Sequence, residues 1–214
     1  MKDIRIGIVG GGYMGKAHAV AYAAVASVFD IELRPILEMV CSSSGATAEK
    51  YRKAFGFSRA TSDWRSLVDD PKVEAIIIAT PQRFHRMIAE TAFKLGKPVF
   101  CEKPLSASLE DSRAMLSAAN LADTINMVGF NYIRTPASQY ARELVLSGRI
   151  GEVIWFRGEH TEDFLADPKE SADWRGSGRA NGVMGDLAPH MINAARRLVG
   201  PIKSLVATVE TVYG

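Results

Sequence analysis

The fold is decided by the stretch Ile4-Arg5-Ile6-Gly7-Ile8-Val9-Gly10-Gly11-Gly12-Tyr13-Met14-Gly15. Its first six residues are the apolar run of a buried strand, and an alanine-rich helix is predicted from Tyr13 to about Ser27. Gly10, Gly12 and Gly15 have the G-x-G-x-x-G spacing of a strand-to-helix turn that binds dinucleotides. In such a turn the first glycine permits the bend, the second lets the backbone approach a pyrophosphate, and the third lets helix and strand pack closely.

Strands and helices continue to alternate after this turn. The later predicted strands are Leu33 to Cys41, Glu74 to Ala79, Lys97 to Cys101 and Thr124 to Val128. The helices predicted between them cover about 46–54, 84–95 and 108–120. This alternation is typical of a parallel sheet with helices on both faces. We therefore predict an α/β fold, with a Rossmann-type doubly wound sheet in residues 1–129.

The pattern changes after the last of these strands. A helix is predicted from about Pro136 to Leu146, and two alternating segments, Gly151 to Thr161 and Ile202 to Val212, are predicted strands of a different sheet. A polar loop from Glu162 to Asn181 separates them. Because two strands alone are marginal in water, we expect residues 130–214 to be the first, incomplete part of a second, α+β domain.

The composition indicates a soluble globular protein, with 47% hydrophobic and 23% charged residues in a chain of 214. A net charge of +2 with interspersed signs argues against a nucleic-acid partner. No apolar run approaches membrane-spanning length and Met1 leads directly into the first strand, so we expect a cytoplasmic protein with no membrane partner. Cys41 and Cys101 have no CxxC spacing and the histidines are scattered, so no metal site is expected.

The choice of dinucleotide depends on the turn after the second strand. The amides of Tyr13 and Met14, at the start of the first helix, would face the phosphates. An NAD site would have Asp or Glu at the end of the second strand, but this chain has Ser42, Ser43 and Ser44. Hydroxyls and exposed amides tolerate a 2′-phosphate, which favours NADP over NAD. The alternative, a serine-rich turn with no role in specificity, stays open.

A lysine stands where a parallel sheet binds its ligands. Glu102-Lys103-Pro104 directly follows a predicted strand, and the crevice of such a sheet lies at the carboxyl ends of its strands. We therefore predict that Lys103 faces a substrate and that Glu102 and Lys103 lie beside the cofactor. The alternative is a lysine that only solvates a loop.

Thr80 and Pro81 follow the preceding strand and occupy a second crevice position. They are predicted to line the cofactor site, with a plain turn as the alternative. His85 comes shortly afterwards and could approach the nicotinamide, or could be a structural residue in the first turn of a helix.

Asp186 and His190 are four residues apart, so on one helix their side chains would share a face. Histidine changes charge near neutral pH, which suits it to accept a hydroxyl proton. A nearby Lys103 ammonium would stabilise the developing alkoxide. Asp186 could instead be the N-cap of a helix that starts near Pro189.

Several motifs together resemble one known family. They are Gly10-x-Gly12-x-x-Gly15, Thr80-Pro81, Glu102-Lys103-Pro104, Trp174-Arg175 and Asp186-x-x-x-His190, in this order along the whole chain. This set is similar to the glucose-fructose oxidoreductase, inositol dehydrogenase and rhizopine catabolism (Gfo/Idh/MocA) family.

The resemblance implies a Rossmann domain followed by a domain built on an open, mainly antiparallel sheet, through which subunits form a homo-oligomer. It implies a nicotinamide-dependent oxidoreductase acting on a sugar or cyclitol, with Lys103, Asp186 and His190 as the catalytic group and His190 as proton acceptor. It also suggests a cis peptide bond before Pro104. Members of the family continue through most of the second sheet, so a longer second domain is expected.

Three residues outside these strand ends are candidate substrate contacts. Trp174 and Arg175 could stack on and hydrogen-bond a polyhydroxylated ring, or could pack the loop onto the first domain. Tyr132, at the domain junction, could touch the ligand or serve as a hinge.

The leading prediction is therefore hydride transfer between a sugar or cyclitol and NAD(P). Two alternatives remain. One is glycoside hydrolysis through transient oxidation, which uses the same site without net cofactor reduction. The other is a nucleotide-binding sensor or regulator that keeps the fold without turnover.

Overall fold

The computed structural model of the chain describes residues 1–163, 167 and 181–210. The chain divides into two units, Met1–Gly129 and Phe130–Gly214. Within the described residues, no helix has both the length and the apolar character needed to cross a membrane.

The first unit is a parallel sheet with helices on its faces. The strands are β1 (Lys2–Val9), β2 (Leu33–Cys41), β3 (Arg59–Thr61), β4 (Ala75–Ile78), β5 (Val99–Glu102) and β6 (Asn126–Gly129). The helices are α1 (Tyr13–Val28), α2 (Gly45–Phe55), α3 (Trp64–Asp69), α4 (His85–Lys94) and α5 (Leu109–Ala122). The strand order is β3-β2-β1-β4-β5-β6, with all pairs parallel. The α/β prediction is confirmed.

The core lies on both faces of the sheet, and β4 shows why. Its four residues, Ala-Ile-Ile-Ile, are all buried. Successive side chains on a strand point to opposite faces. Accordingly Ile76 and Ile78 pack in one apolar cluster with Ile88 of α4, and Ile77 packs in the other with Ile8 of β1. A strand covered on both faces reads as a continuous apolar run rather than an alternating one.

The short elements between α2 and β4 are not predicted from the sequence. Strand β3 has three residues and α3 has six, so neither carries a recognisable period. Both are held by polar contacts: Asp63 Oδ1 accepts the Arg65 amide at the start of α3, at 3.0 Å. Arg59 on β3 donates to the buried Glu38 carboxylate of β2, at 2.8 Å.

Among its described residues, the second unit contains three α-helices, α6 (Pro136–Leu146), α7 (Gly182–Asp186) and α8 (Ala188–Leu198), and a short 3-10 helix, Tyr132–Arg134. Here the structure differs from the sequence prediction of two strands. The described residues of the segments 151–161 and 202–212 form no strand, and residues 211 and 212 lie outside the description. A strand is defined by hydrogen bonds to a neighbouring strand, and neither segment has such a neighbour among the described residues. The Trp155 and Val206 side chains are accordingly 80% and 100% exposed.

Candidate functional site

One group of candidate site residues, in the first unit, lies where β1, β4 and β5 end side by side. Val9 pairs with Ile78, and Ile78 pairs with Cys101, so the residues that follow these strands emerge at one edge of the sheet. The chain runs outward from β1 to β3 and then crosses to β4, which makes the gap between β1 and β4 the switch point of the sheet. Ligands of open α/β sheets bind outside the strand ends at this point.

The glycine turn between β1 and α1 closes tightly at two positions and is open at the third. Gly10 has φ of +108°, and a Cβ there would lie 2.3 Å from the carbonyl oxygen of Ala79. A Cβ on Gly15 would lie 1.9 Å from the Gly10 carbonyl oxygen. A Cβ on Gly12 would meet nothing within 4 Å. The bend is therefore fixed at both ends, with open space over its middle.

The amino end of α1 faces this open space. Among the described residues, no side chain caps the helix at Gly12. Tyr13 is 77% exposed and Met14 is half-buried. The first amides of a helix lack intrahelical partners and carry the positive end of the helix dipole, which is the arrangement that binds phosphate groups.

The serine turn after β2 has a partly structural role. Ser44 caps α2, since its Oγ accepts the Thr47 amide at 3.2 Å, and the Ser42 amide donates to the Thr61 carbonyl at 3.2 Å. Ser43 is exposed. Burial, together with the negative charge of Asp63, raises the pKa of the neighbouring Cys41 thiol to about 11. A negative charge is thus already close to the end of β2.

The turn after β4 contains an unsatisfied hydroxyl. Thr80 Oγ1 is buried and has no hydrogen-bond partner within the described part of the chain. Such a group costs roughly 1–3 kcal/mol unless something satisfies it. Pro81, next in the chain, is half-buried.

His85 lies beneath this turn rather than in the open crevice. Its side chain is 1% exposed, and its Nε2 and Nδ1 lie 2.8 Å and 3.2 Å from the carbonyl oxygens of Thr80 and Leu105. Burial lowers the pKa of the imidazole. This environment favours the structural interpretation of His85 over an approach to the nicotinamide.

The Glu102-Lys103-Pro104 segment leaves β5 at the same edge. The Lys103–Pro104 peptide bond is cis, which confirms the expectation drawn from the family resemblance. Glu102 is buried, and its Oε1 accepts a hydrogen bond from His18 Nε2 at 2.7 Å. Its Oε2 accepts the Lys103 amide at 3.3 Å. The Glu102 carboxylate therefore contacts α1 and its own backbone, and Lys103 is half-exposed.

Sequence reasoning did not single out His18. A signal was present, because His18 follows Gly15 by three residues and therefore shares its helix face. Gly15 is the residue at which α1 approaches the sheet, so a polar side chain on that face must find a partner near the strand ends.

The second unit contains a separate aromatic cluster around His190. The His190 side chain is 7% exposed, and its ring centroid lies 4.3 Å from that of Tyr132. The His160 ring lies 5.7 Å from both, and Phe130 meets His190 edge-on at 6.2 Å. His160, which sequence reasoning also missed, is brought there from the segment that was predicted as a strand.

The structure breaks the helix between Asp186 and His190. Asp186 is the last residue of α7, and Leu187 is the N-cap of α8. Asp186 and His190 therefore belong to two consecutive helices rather than one, and Leu187, not the predicted alternative Asp186, is the N-cap of the second. Pro189 explains the break, because proline lacks an amide hydrogen and is tolerated in the first turn of a helix but not in its interior.

Two of the predicted substrate contacts cannot be placed, and the described residues can be searched for a metal site. Trp174 and Arg175 lie outside the described residues. Within the described residues, no group of three or more His, Cys, Asp or Glu side chains could hold a metal ion.

Comparison with known proteins identifies the family. The profile described as "Oxidoreductase family, NAD-binding Rossmann fold" matches residues 4–130, and that of the "GFO/IDH/MocA C-terminal domain" matches residues 138–214. The chain belongs to the Gfo/Idh/MocA oxidoreductase family. Its first unit has the NAD-binding Rossmann fold of that family.

Relatives in the Gfo/Idh/MocA family include dehydrogenases of cyclic polyols. Levoglucosan dehydrogenase of Pseudarthrobacter phenanthrenivorans is 40% identical over 99% of this chain and 55% of its own length. The NAD⁺-dependent scyllo-inositol 2-dehydrogenase of Bacillus subtilis is 31% identical over 92% of this chain and 54% of its own length. A structure of levoglucosan dehydrogenase with NADH and levoglucosan superposes with a TM-score of 0.89 over 93% of this chain and 54% of that one. The chain spans about half the length of these relatives.

Proposed function

We propose that this protein is an NAD(P)-dependent oxidoreductase that interconverts a hydroxyl and a carbonyl on a sugar or cyclitol. The observation that carries the proposal is the position of Lys103. It follows β5 directly, at the edge of the sheet where the glycine turn and the amino end of α1 open toward solvent. A fixed ammonium at this edge can polarise a substrate oxygen.

The residues present fit a dinucleotide. Gly12 leaves open space over the turn, and the amino end of α1 offers uncapped amides to a pyrophosphate. The buried Thr80 hydroxyl is a further group that a ligand could satisfy. We propose that Gly10, Gly12, Tyr13, Met14 and Gly15 form the phosphate-binding turn. When bound, the nicotinamide would supply the redox chemistry by exchanging a hydride with the carbinol carbon.

The protein's own groups would manage the proton and the charge. We propose that His190 takes the hydroxyl proton during oxidation and returns it during reduction. Lys103 would stabilise the alkoxide that forms as the proton leaves, and Asp186 would help to orient the hydroxyl. Holding the carbon, the oxygen and the proton acceptor in one geometry is the main contribution of such a site.

We propose a cyclic polyol as the substrate class. Levoglucosan and scyllo-inositol, in the names of two relatives, are both polyhydroxylated rings. The Tyr132 ring lies 4.3 Å from the His190 ring at an angle of 32°, and Tyr132 is 47% exposed, so its exposed face could contact such a ring. Trp174 and Arg175 are proposed as further contacts on the basis of their residue types alone.

The choice of cofactor is proposed from the turn after β2. No carboxylate stands at positions 42 to 44 to repel a 2′-phosphate, and this favours NADP. Two contacts oppose it: Arg52 is already paired with Glu49 at 2.7 Å, and the Asp63 charge lies near Cys41. We therefore propose that both cofactors bind and that NADP is preferred by less than about tenfold, or about 1.4 kcal/mol.

We further propose that residues 1–129 are the nucleotide-binding domain and that residues 130–214 are the first part of a substrate-binding domain. The family also suggests a homo-oligomer formed through the sheet of the second domain.

One assay tests the function. The chain is incubated with levoglucosan, scyllo-inositol, myo-inositol and glucose, each with NAD⁺ or NADP⁺, and the absorbance of the reduced cofactor is followed. We expect one equivalent of reduced cofactor for each ketone or lactone formed. Failure of both cofactors to quench tryptophan fluorescence would contradict the proposal. Glycoside cleavage without net cofactor reduction would point instead to hydrolysis through transient oxidation.

A further inference from the structure

We propose that His18 and His85 are positioning residues that hold the Lys103 segment from its two sides. In this arrangement His18 fixes the residue before Lys103, and His85 fixes the backbone two residues after it. We call this pair of contacts, His18 with Glu102 and His85 with the Thr80 and Leu105 carbonyls, the clamp. Its effect on turnover rests on the proposed function, whereas the existence of the clamp does not.

The first arm joins α1 to the end of β5. His18 Nε2 and Glu102 Oε1 are 2.7 Å apart, and the two side chains are 14% and 7% exposed. The second carboxylate oxygen of Glu102 accepts the amide of Lys103. One buried carboxylate therefore ties α1 to the backbone of the proposed catalytic residue.

The surroundings of this arm are largely apolar and closely fitted. The His18 ring meets Phe100 edge-on at 4.9 Å and stacks with Tyr22 at 6.2 Å. On β6, a Cβ at Gly129 would come within 3.0 Å of the Glu102 carboxylate. A polar contact is stronger in such a low-dielectric setting, and the carboxylate has little room to adopt another position.

The second arm joins the end of β4 to the residue after Pro104. His85 lies between the carbonyl oxygens of Thr80 and Leu105, at 2.8 Å and 3.2 Å. A neutral imidazole has one N–H, so it donates to one carbonyl at a time, whereas the imidazolium would donate to both. Because the side chain is 1% exposed, its position is set by packing as well as by these contacts.

Together the two arms fix the position of the Lys103 segment relative to the glycine turn and the Thr80 turn, the two turns that are proposed to hold the cofactor. His18 lies on the helix that the glycine turn opens, and His85 contacts the turn that contains Thr80. A displacement of about 1 Å in a reacting group can reduce the rate by roughly a hundredfold. The clamp would thus align Lys103 with the reacting groups, and its loss should lower turnover more than it lowers NADH affinity.

Three variants and one matched control test the first arm. His18→Phe removes the donor and keeps an aromatic ring, whereas His18→Gln keeps a donor near the position of Nε2. Glu102→Gln weakens the carboxylate contact. The matched control is Glu38→Gln, which alters another buried carboxylate, paired with Arg5 and Arg59, away from the Lys103 segment. For the second arm, His85→Phe removes the imidazole donor and keeps an aromatic ring.

The readouts are kcat, KM, NADH affinity and amide hydrogen exchange of residues 102–106. For His18→Phe and Glu102→Gln we expect kcat to fall roughly ten- to a hundredfold while NADH affinity and KM change by less than about threefold. His18→Gln should recover most of kcat. Exchange at Lys103 should accelerate in His18→Phe, and exchange at Leu105 should accelerate in His85→Phe. Glu38→Gln should lower stability without changing kcat or the exchange of this segment.

Parent-like exchange and parent-like kcat in His18→Phe would overturn the clamp. Equal losses of kcat in His18→Phe and Glu38→Gln would also overturn it, since that result reports general destabilisation. If the parent binds NADH but turns over no polyol, the proposed function fails, and the exchange data still decide whether the clamp exists.

Discussion

His18 and Glu102 are 84 residues apart in sequence, and their side chains meet at 2.7 Å. This contact joins the helix that follows the glycine turn to the strand that leads to Lys103. It shows how a parallel sheet assembles a site. The helix that follows β1 and the end of β5 come together at one edge of the sheet, although β4 lies between the two strands and the chain between the two residues contains β2, β3 and β4.

Cofactor choice can be measured directly. We expect NADPH to quench tryptophan fluorescence at a lower concentration than NADH, because no carboxylate stands at positions 42 to 44. Ser42→Asp should weaken NADPH by at least about tenfold, or about 1.4 kcal/mol, through repulsion of the 2′-phosphate. The control Ser117→Asp, on the exposed face of α5, should leave both affinities unchanged. Tighter binding of NADH by the parent would refute the interpretation of the serine turn.

The role of His190 can be tested through the pH dependence of turnover. A proton acceptor must be neutral to work, so the rate should rise with pH as His190 loses its proton. His190→Gln should lower kcat by roughly 10²- to 10⁴-fold and remove this limb of the profile. His160→Gln, which alters the neighbouring ring, should keep the limb. A His190→Gln enzyme with the parent's profile would exclude His190 as the base.

Acid stability should depend on Asp70. The hydrogen bond from the Arg59 guanidinium lowers the pKa of Asp70 to about 2. Since an unfolded aspartate has a pKa of about 3.9, the folded state gains stability from this group above that pH and loses it as the pH falls toward 2.

Denaturant unfolding at pH 7, 4 and 2.5 measures this effect. Asp70→Asn should cost about 1.5 kcal/mol at pH 7 through the lost charged hydrogen bond, and the cost should shrink toward pH 2. The exposed neighbour Asp69 supplies the control, and Asp69→Asn should follow the parent. A cost for Asp70→Asn that does not vary with pH would show that the Arg59 pair does not set the acid response.

The sequence predicts the Rossmann unit well because its signals are local. β2 has the predicted bounds, α1 extends one residue further at its carboxyl end, and α2 extends one residue further at each end. In the second unit, α6 also has the predicted bounds. An apolar run that ends in glycine and is followed by an alanine-rich helix can be predicted without knowing which distant residues it contacts. Strand β3 and helix α3 are missed because three and six residues are too few to show a period. Their positions depend on non-local contacts, such as Arg59 with Glu38 and the burial of Leu67 and Val68 in the core.

The buried polar contacts of the site are also harder to predict, because they depend on residues that are distant in sequence. His85 and Glu102 lie at positions that the strand ends mark as functional, yet their side chains are buried against carbonyls and a histidine. Sequence position locates the edge of the sheet but not the direction of each side chain. His160 joins Tyr132 and His190 from a segment that has no partner strand in the described part of the chain, so periodicity gives no indication of its place.

The central claim is that Lys103 acts on the reacting oxygen rather than on the cofactor. Lys103→Ala tests it most directly, with Lys94→Ala on the exposed end of α4 as the matched control. NADH affinity and polyol turnover are measured for both. We predict that Lys103→Ala lowers turnover by at least about a hundredfold with NADH affinity within about threefold of the parent, the pattern of a group that acts in the transition state. Loss of affinity and turnover to the same extent, or turnover like that of Lys94→Ala, would contradict the claim.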